Sequence, residues 1–255
     1  MKESDFKFST SVIAWPLFFV LVLWGVYLLE IILPGDLLDY GVLPRTVSGI
    51  KGIFFSVFLH GDINHLWNNS VSLFVLLMAL RYFYRIESLK VLIWGVVLSG
   101  IGTWLIGRES YHIGASGLVY VLASFMFFEG FQTKHYRLIA LSFGIVLMYG
   151  GMIWYMFPSA EVHISWEAHL SGFLAGFVLS RMIDSKVYEK PIVYDWQHPD
   201  FDPSQDEFMK HFDENGNFAP KPKESEVVEA DEVFRFFNSD SQVFYHYKQE
   251  KKDNQ

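Results

Sequence analysis

Cysteine is absent from all 255 residues, so disulfides, thiolate zinc sites and a cysteine nucleophile are excluded. Basic charge is also scarce: 20 Lys and Arg stand against 28 Asp and Glu, for a formal net charge of −8. The deficit is local. Residues 191–255 carry 15 acidic and 7 basic side chains, and the remainder of the chain balances. Such an acidic stretch repels phosphate, which argues against nucleic acid as a partner and against anchoring of this segment on anionic lipid. A cleavable signal peptide is not evident. The apolar run at 12–33 is longer than a signal core and has no small-residue cleavage site after it, so it reads as a retained span. Internal repeats are missing as well. Asp213-Glu-Asn-Gly-Asn hints at a calcium loop, but Phe218 occupies the sixth position, where glycine is needed, so the stretch reads as a turn. Neither a metal nor a cofactor is expected.

Apolar sequence is what the chain has in quantity: 51% hydrophobic and 18% aromatic residues, with a mean hydropathy of +0.23. That is too apolar for an ordinary soluble domain and fits several membrane spans plus a soluble piece. Six apolar segments separate, at about 12–33, 63–80, 89–106, 115–131, 138–157 and 166–183. Each is near the roughly 17–25 residues that cross a bilayer as a helix. The expected fold class is an all-α polytopic membrane protein: a short cytoplasmic segment (1–11), a six-helix membrane domain (12–185) and an acidic, partly disordered cytoplasmic tail (186–255). The connection from Pro34 to Asp62 is long and mixed, and its apolar stretch 50–59 is too short to span.

Basic residues set the orientation. Arg81, Arg85 and Lys90 flank the second connection, Lys134 and Arg137 sit in the fourth, and Arg181, Lys186 and Lys190 follow the last span. The other connections hold fewer, so both termini are placed in the cytoplasm, as an even number of spans requires. Composition beyond Lys190 turns polar with scattered aromatics, and 220–232 reads as disordered.

The polar residues inside the spans are the informative ones. Counted at about 1.5 Å per residue from the cytoplasmic helix ends, Ser116 lies about 23 Å above Phe131, and His169 about 18 Å above Arg181. Asn69 and His65 lie about 18 and 24 Å above Arg81. Four polar side chains from three separate segments thus fall at one level, within about one helical turn. His65 and Asn69 are also four apart and share a helix face. Polar groups at membrane depth are costly and normally face one another or a water-filled cavity. A serine is too weak an acid to attack alone, and an imidazole is the group that takes its proton.

These residues resemble the rhomboid family of intramembrane serine proteases over roughly residues 41–183. The pieces come in the family's order. Phe58-Leu-His60-Gly-Asp-Ile-Asn-His65-Leu-Trp-Asn-Asn69 is similar to the histidine-rich opening of the second helix. Gly114-Ala-Ser116-Gly117, with Tyr120 one turn on, matches the Gly-x-Ser-Gly nucleophile motif, and Ala168-His169-Leu-Ser-Gly172-Phe-Leu-Ala-Gly176 matches the catalytic-histidine helix. Alone, a Gly-x-Ser-Gly is weak; the three together, ordered and depth-matched, are strong. Two departures concern loop anchoring: the long loop has no Trp-Arg pair, and Arg81 stands where a member can carry glutamate.

The resemblance implies a rhomboid-like six-helix bundle in a bacterial inner (plasma) membrane, cleaving transmembrane protein substrates near the outer face. In that reading Ser116 is the nucleophile and His169 the general base, with no evident third acid. The Ser116 N–H, the His65 ring and the Asn69 amide stabilise the oxyanion. Tyr120 packs on the His169 ring. His60, Gly114 and Gly117 support the site, and Gly172 and Gly176 form a small-xxx-small face that brings two helices close. Substrate access passes between the second and fifth spans, and Gly150-Gly151 softens the fifth. His112 and His163 lie in outer loops without a catalytic role; Glu30 and Glu129 lie near span ends and snorkel. The alternatives are a catalytically silent rhomboid-like protein that binds membrane helices, or a small transporter or channel. The first need not keep both serine and histidine, and the second needs polar groups along a full path.

Overall fold

In lipid a backbone satisfies its own N–H and C=O groups most simply as a helix, and the apolar runs do so here. The computed structural model describes residues 6, 8–32, 37–158 and 164–183 of one compact unit, Met1–Ile192. In a second unit, Val193–Gln255, it describes 194, 196, 199–202, 206–213 and 215–219. Residues 220–232, His163, Lys186 and Lys190 lie outside the described residues. The helices are α1 (Ser11–Ile32), α2 (Gly52–Phe55), α3 (Ile63–Phe83), α4 (Ser88–Ile106), α5 (Ser116–Thr133), α6 (Tyr136–Tyr149) and α7 (Trp166–Met182). Among the described residues there is no strand beyond isolated bridges.

Helix α5 is the hub, in contact with α3, α4, α6 and α7. Its Leu118, Val121, Leu122, Phe125 and Met126 are buried with Leu73, Leu76 and Leu77 of α3, Leu138 of α6 and Leu179 of α7. Outward-facing positions carry large apolar side chains instead, such as Phe18 and Leu21 on α1, Ile93 on α4 and Leu147 on α6. A surface of that kind suits lipid.

Four helical stretches are long and apolar enough to cross a membrane: Ser11–Ile32, Ile63–Phe83, Ser88–Ile106 and Tyr136–Met156. The chain is therefore an integral membrane protein. Helices α5 and α7 fall outside that set, and they are the ones most enclosed by protein. Helices shielded by neighbours face little lipid, so small and polar residues cost less there. Hydroxyls bond across this interior: Ser124 Oγ donates to the Phe173 carbonyl (3.0 Å), and Ser142 Oγ to the Phe127 carbonyl (2.9 Å).

The structure departs from the sequence expectations in two places. The fifth apolar segment is not one α-helix: α6 stops at Tyr149, whose φ of −120° breaks the pitch, and Gly150–Met156 continues as a 3-10 helix. Glu129 does not snorkel; it is 3% exposed, inside the bundle. The long connection forms short helical turns over Ser48–Phe58 and does not span. It docks through Arg45, which donates to the Gly107 carbonyl (2.7 Å), and through Trp104, whose indole donates to the Thr46 carbonyl (2.9 Å). Arg81, the departure noted above, ties the α3–α4 turn by donating to the Arg85 carbonyl (2.8 Å) and Ser88 Oγ (3.0 Å). In the second unit Asp213 accepts from the Asn215 and Asn217 N–H groups (2.9 and 2.8 Å), the geometry of a turn.

Candidate active site

Ser116 is the first residue of α5, and no side chain caps that helix. Its N-terminal N–H groups and the positive end of its dipole are left open at the serine. The other site helices are capped. Asp62 accepts from the His65 N–H (2.9 Å) at the start of α3, and Ser165 Oγ accepts from the Ala168 N–H (3.3 Å) at the start of α7. Both caps lie within a turn of a site histidine and fix where its helix begins.

The α5–α7 contact brings Ser116 and His169 together. A Cβ on Gly172 would collide with the Gly117 carbonyl, and one on Gly176 with Ser124 Oγ and the Val121 carbonyl. Gly117 itself packs against the Ala168 carbonyl. Only glycine permits this approach. At the top of the crossing, Ser116 Oγ and His169 Nε2 are 2.9 Å apart. His169 is 8% exposed.

The other face of the imidazole settles its tautomer. His169 Nδ1 lies 2.9 Å from the Tyr155 carbonyl, which can only accept, so Nδ1 carries the proton. Nε2 is then a lone pair facing the serine hydroxyl, the arrangement a general base requires. The Tyr120 ring stacks on the imidazole with centroids 4.5 Å apart and planes 19° from parallel, and its hydroxyl donates to the Met152 carbonyl (2.6 Å). The sequence pointed to Ser116, His169 and Tyr120, which the fold brings together, and gave no sign of the two carbonyls. A backbone acceptor leaves no residue signature, and here it stands where a third acid was looked for.

His65 and Asn69 reach the same spot from α3. Gly114 has φ +110°, a left-handed conformation suited to glycine. A Cβ there would lie 2.5 Å from His65 Cε1, 2.7 Å from His65 Nε2 and 3.6 Å from Asn69 Nδ2. Asn69 is 6% exposed, and its Nδ2 is buried without a hydrogen-bond partner. An orphaned buried donor is costly to keep, and this one sits beside the residues that lead into Ser116. His60 packs edge-on to His65, with centroids 5.2 Å apart, and its Nδ1 lies 3.3 Å from the Phe58 carbonyl. Burial, helped by His65, pushes His60 down to about 4, so it stays neutral.

A second network, invisible in the sequence, clamps the loop before Ser116 to the start of α7. His112 Nδ1 lies 2.6 Å from Ser165 Oγ, and His112 Nε2 3.1 Å from the Arg108 carbonyl. Arg108 donates to the Ile164 carbonyl (2.6 Å), and its backbone N–H reaches Glu167 Oε1 (3.3 Å). The Val42–His112 bridge and the bond from Gly114 N–H to the Ser56 carbonyl (2.9 Å) complete the clamp. Burial lowers the His112 pKa, against smaller raising effects of the Arg108 carbonyl and Glu167. His112 thus ties the loop before Ser116 to the start of α7.

The Rhomboid domain profile matches residues 48–185, a range that contains every residue of this site. Uncharacterized proteins of Mycobacterium bovis and Mycobacterium tuberculosis are each 34% identical over 172 residues, covering 62% of this chain and 71% of their own length. An uncharacterized protein of Mycobacterium leprae is 28% identical over 178 residues, covering 66% and 69%.

Proposed function

The chain belongs to the rhomboid family, and from that premise we propose that it is an intramembrane serine endopeptidase that cuts transmembrane segments of other membrane proteins near the outer face. The observation that carries the proposal is the 2.9 Å Ser116–His169 contact between two helices, with the imidazole's far nitrogen held by a carbonyl. A serine and a histidine gluing helices together would not need a fixed tautomer or an adjacent orphaned amide.

In the proposed reaction Ser116 Oγ attacks the scissile carbonyl while His169 Nε2 takes its proton. Charge on the resulting imidazolium is shared with the Tyr155 carbonyl through Nδ1–H. The developing oxyanion is met by the Ser116 N–H, the Asn69 amide and the His65 ring, donors held in place before reaction begins. Collapse passes the proton from His169 to the leaving amine and leaves an acyl-serine. A water, deprotonated by the same imidazole, then releases the acid. Tyr120 keeps the ring in plane throughout.

Six spans carry this site in the proposed topology, with α5 and α7 crossing inside a wall of the more apolar helices and both chain ends cytoplasmic, in a bacterial inner membrane. Ser116 then lies toward the outer side. A substrate helix must unwind locally to offer a carbonyl, so segments with weak helix formers such as Gly and Pro are the expected substrates. Purified protein incubated with a single-span reporter tests the proposal. The native chain cleaves it and Ser116→Ala does not; equal cleavage by the two refutes it.

A further inference from the structure

The segment after α6 is out of the ordinary. Gly150–Met156 holds a 3-10 pitch for seven residues, where runs beyond three or four are uncommon. Two of its carbonyls reach into the site: Tyr155 accepts from His169 Nδ1 at 2.9 Å and Met152 accepts from the Tyr120 hydroxyl at 2.6 Å. The same short piece of backbone thus holds both the general base and the ring stacked on it.

Pitch decides whether it can. A 3-10 helix rises about 2.0 Å per residue and an α-helix about 1.5 Å. Over the five steps from Gly150 to Tyr155, rewinding to α pitch withdraws the Tyr155 carbonyl by about 2.5 Å and turns it by about 100°. Neither bond survives that. The seam is built for such a change. Gly150 lies at φ −59°, ψ −32°, between the ideal values of the two helices, and a Cβ on Gly151 would meet nothing within 4 Å. Beside the segment lies a cavity of about 280 Å³, lined by Ser124, Phe127, Ile145, Tyr149, Met152 and Ile153, which leaves it room to move.

We infer that Gly150–Met156 is a positioning latch for the general base: at 3-10 pitch it holds His169 and Tyr120 in place, and rewinding to α pitch releases both. Met152 and Tyr155 act through their carbonyls and touch no reacting atom. The latch deepens the protease reading above and rests on it. Motion of the fifth span is thereby coupled to the chemistry. Displacing α6 changes the dyad.

Replacing both glycines with alanine, the strongest α former, tests the latch in the full-length chain in lipid vesicles. In Gly150→Ala/Gly151→Ala, kcat on the single-span reporter falls about 10²-fold, as expected for a reacting group displaced by an ångström or more, while KM stays within about twofold. Gly144→Ala makes the same kind of change within α6, meets nothing within 4 Å and leaves kcat unchanged. Tyr120→Phe lowers kcat in the native background and has no further effect in the double-alanine one, because one coupling has been broken twice. Should the double variant fail to fold, Gly151→Ala alone carries the same kcat-against-KM comparison. Nitrogen-15 NMR of His169 reads the latch without turnover: the native ring carries its proton on Nδ1, and the double variant loses that preference. A folded double variant with native kcat, multiplying effects with Tyr120→Phe, or a native His169 protonated on Nε2 overturns the latch. A native chain with the Nδ1–H form but no cleavage overturns the protease reading instead.

Discussion

Gly176 gives the sharpest test of how the fold makes the site. A Cβ at this position would overlap Ser124 Oγ and the Val121 carbonyl and lie 2.8 Å from the Phe125 N–H nitrogen, where ordinary contact begins at 3.4 Å. Two of these neighbours are backbone atoms of α5, which cannot rotate aside as a side-chain tip does. Relief requires α5 and α7 to part by about an ångström, because close-packed interiors yield little. Overpacking of this kind destabilises by about 1–3 kcal/mol. The Ser116–His169 contact spans the same crossing two turns higher and has little slack at 2.9 Å. Misplacement by about 1 Å costs up to roughly 10²-fold in rate. Gly176→Ala should therefore lower kcat on a single-span reporter by about that factor and lower stability by about 1–3 kcal/mol. Gly25→Ala, whose Cβ meets nothing within 4 Å, should change neither. Native kcat in Gly176→Ala would show that the dyad does not depend on this crossing.

Asn69→Ala should cost about 2.7–4 kcal/mol in the barrier, the usual loss of one oxyanion donor, and should lower kcat more than it raises KM; a large KM rise at constant kcat would make Asn69 a docking residue. His112 has its pKa lowered by burial, so the unfolded chain takes up its proton first on acidification. Its contribution to stability is full above about 6.5 and is lost as pH falls below that. The unfolding midpoint of His112→Gln should accordingly fall less steeply from pH 7 to 5 than that of the native chain, and equal slopes would contradict this. Ending the chain before Pro191 should leave proteolysis largely intact, since every site residue precedes it; a truncated form that inserts but is inactive would assign the tail to the catalytic unit.

Much of the site was legible because its cost is written in residue types. A serine, two histidines and an asparagine at membrane depth have few reasons to share a level, and glycines at 172 and 176 announce a close crossing. What escaped has no such mark. The Tyr155 and Met152 carbonyls are backbone atoms, present at every position. The change of pitch at Tyr149 leaves no trace in the hydropathy profile, which depends on which residues are present and not on how they wind. The clamp of Arg108, His112, Ser165 and Glu167 joins residues more than fifty positions apart, and only the fold brings them together. Glu129 looked like an end residue because its place near the last turn of α5 hides how deeply that helix is enclosed.

Reaction of the purified native chain with a serine-directed fluorophosphonate, followed by mass-spectrometric mapping, tests the catalytic assignment most directly. A dyad predicts one labelled serine, Ser116, with labelling lost in His169→Ala although the serine is still present. Label on another residue, or labelling of Ser116 that persists at the native rate without His169, would contradict it.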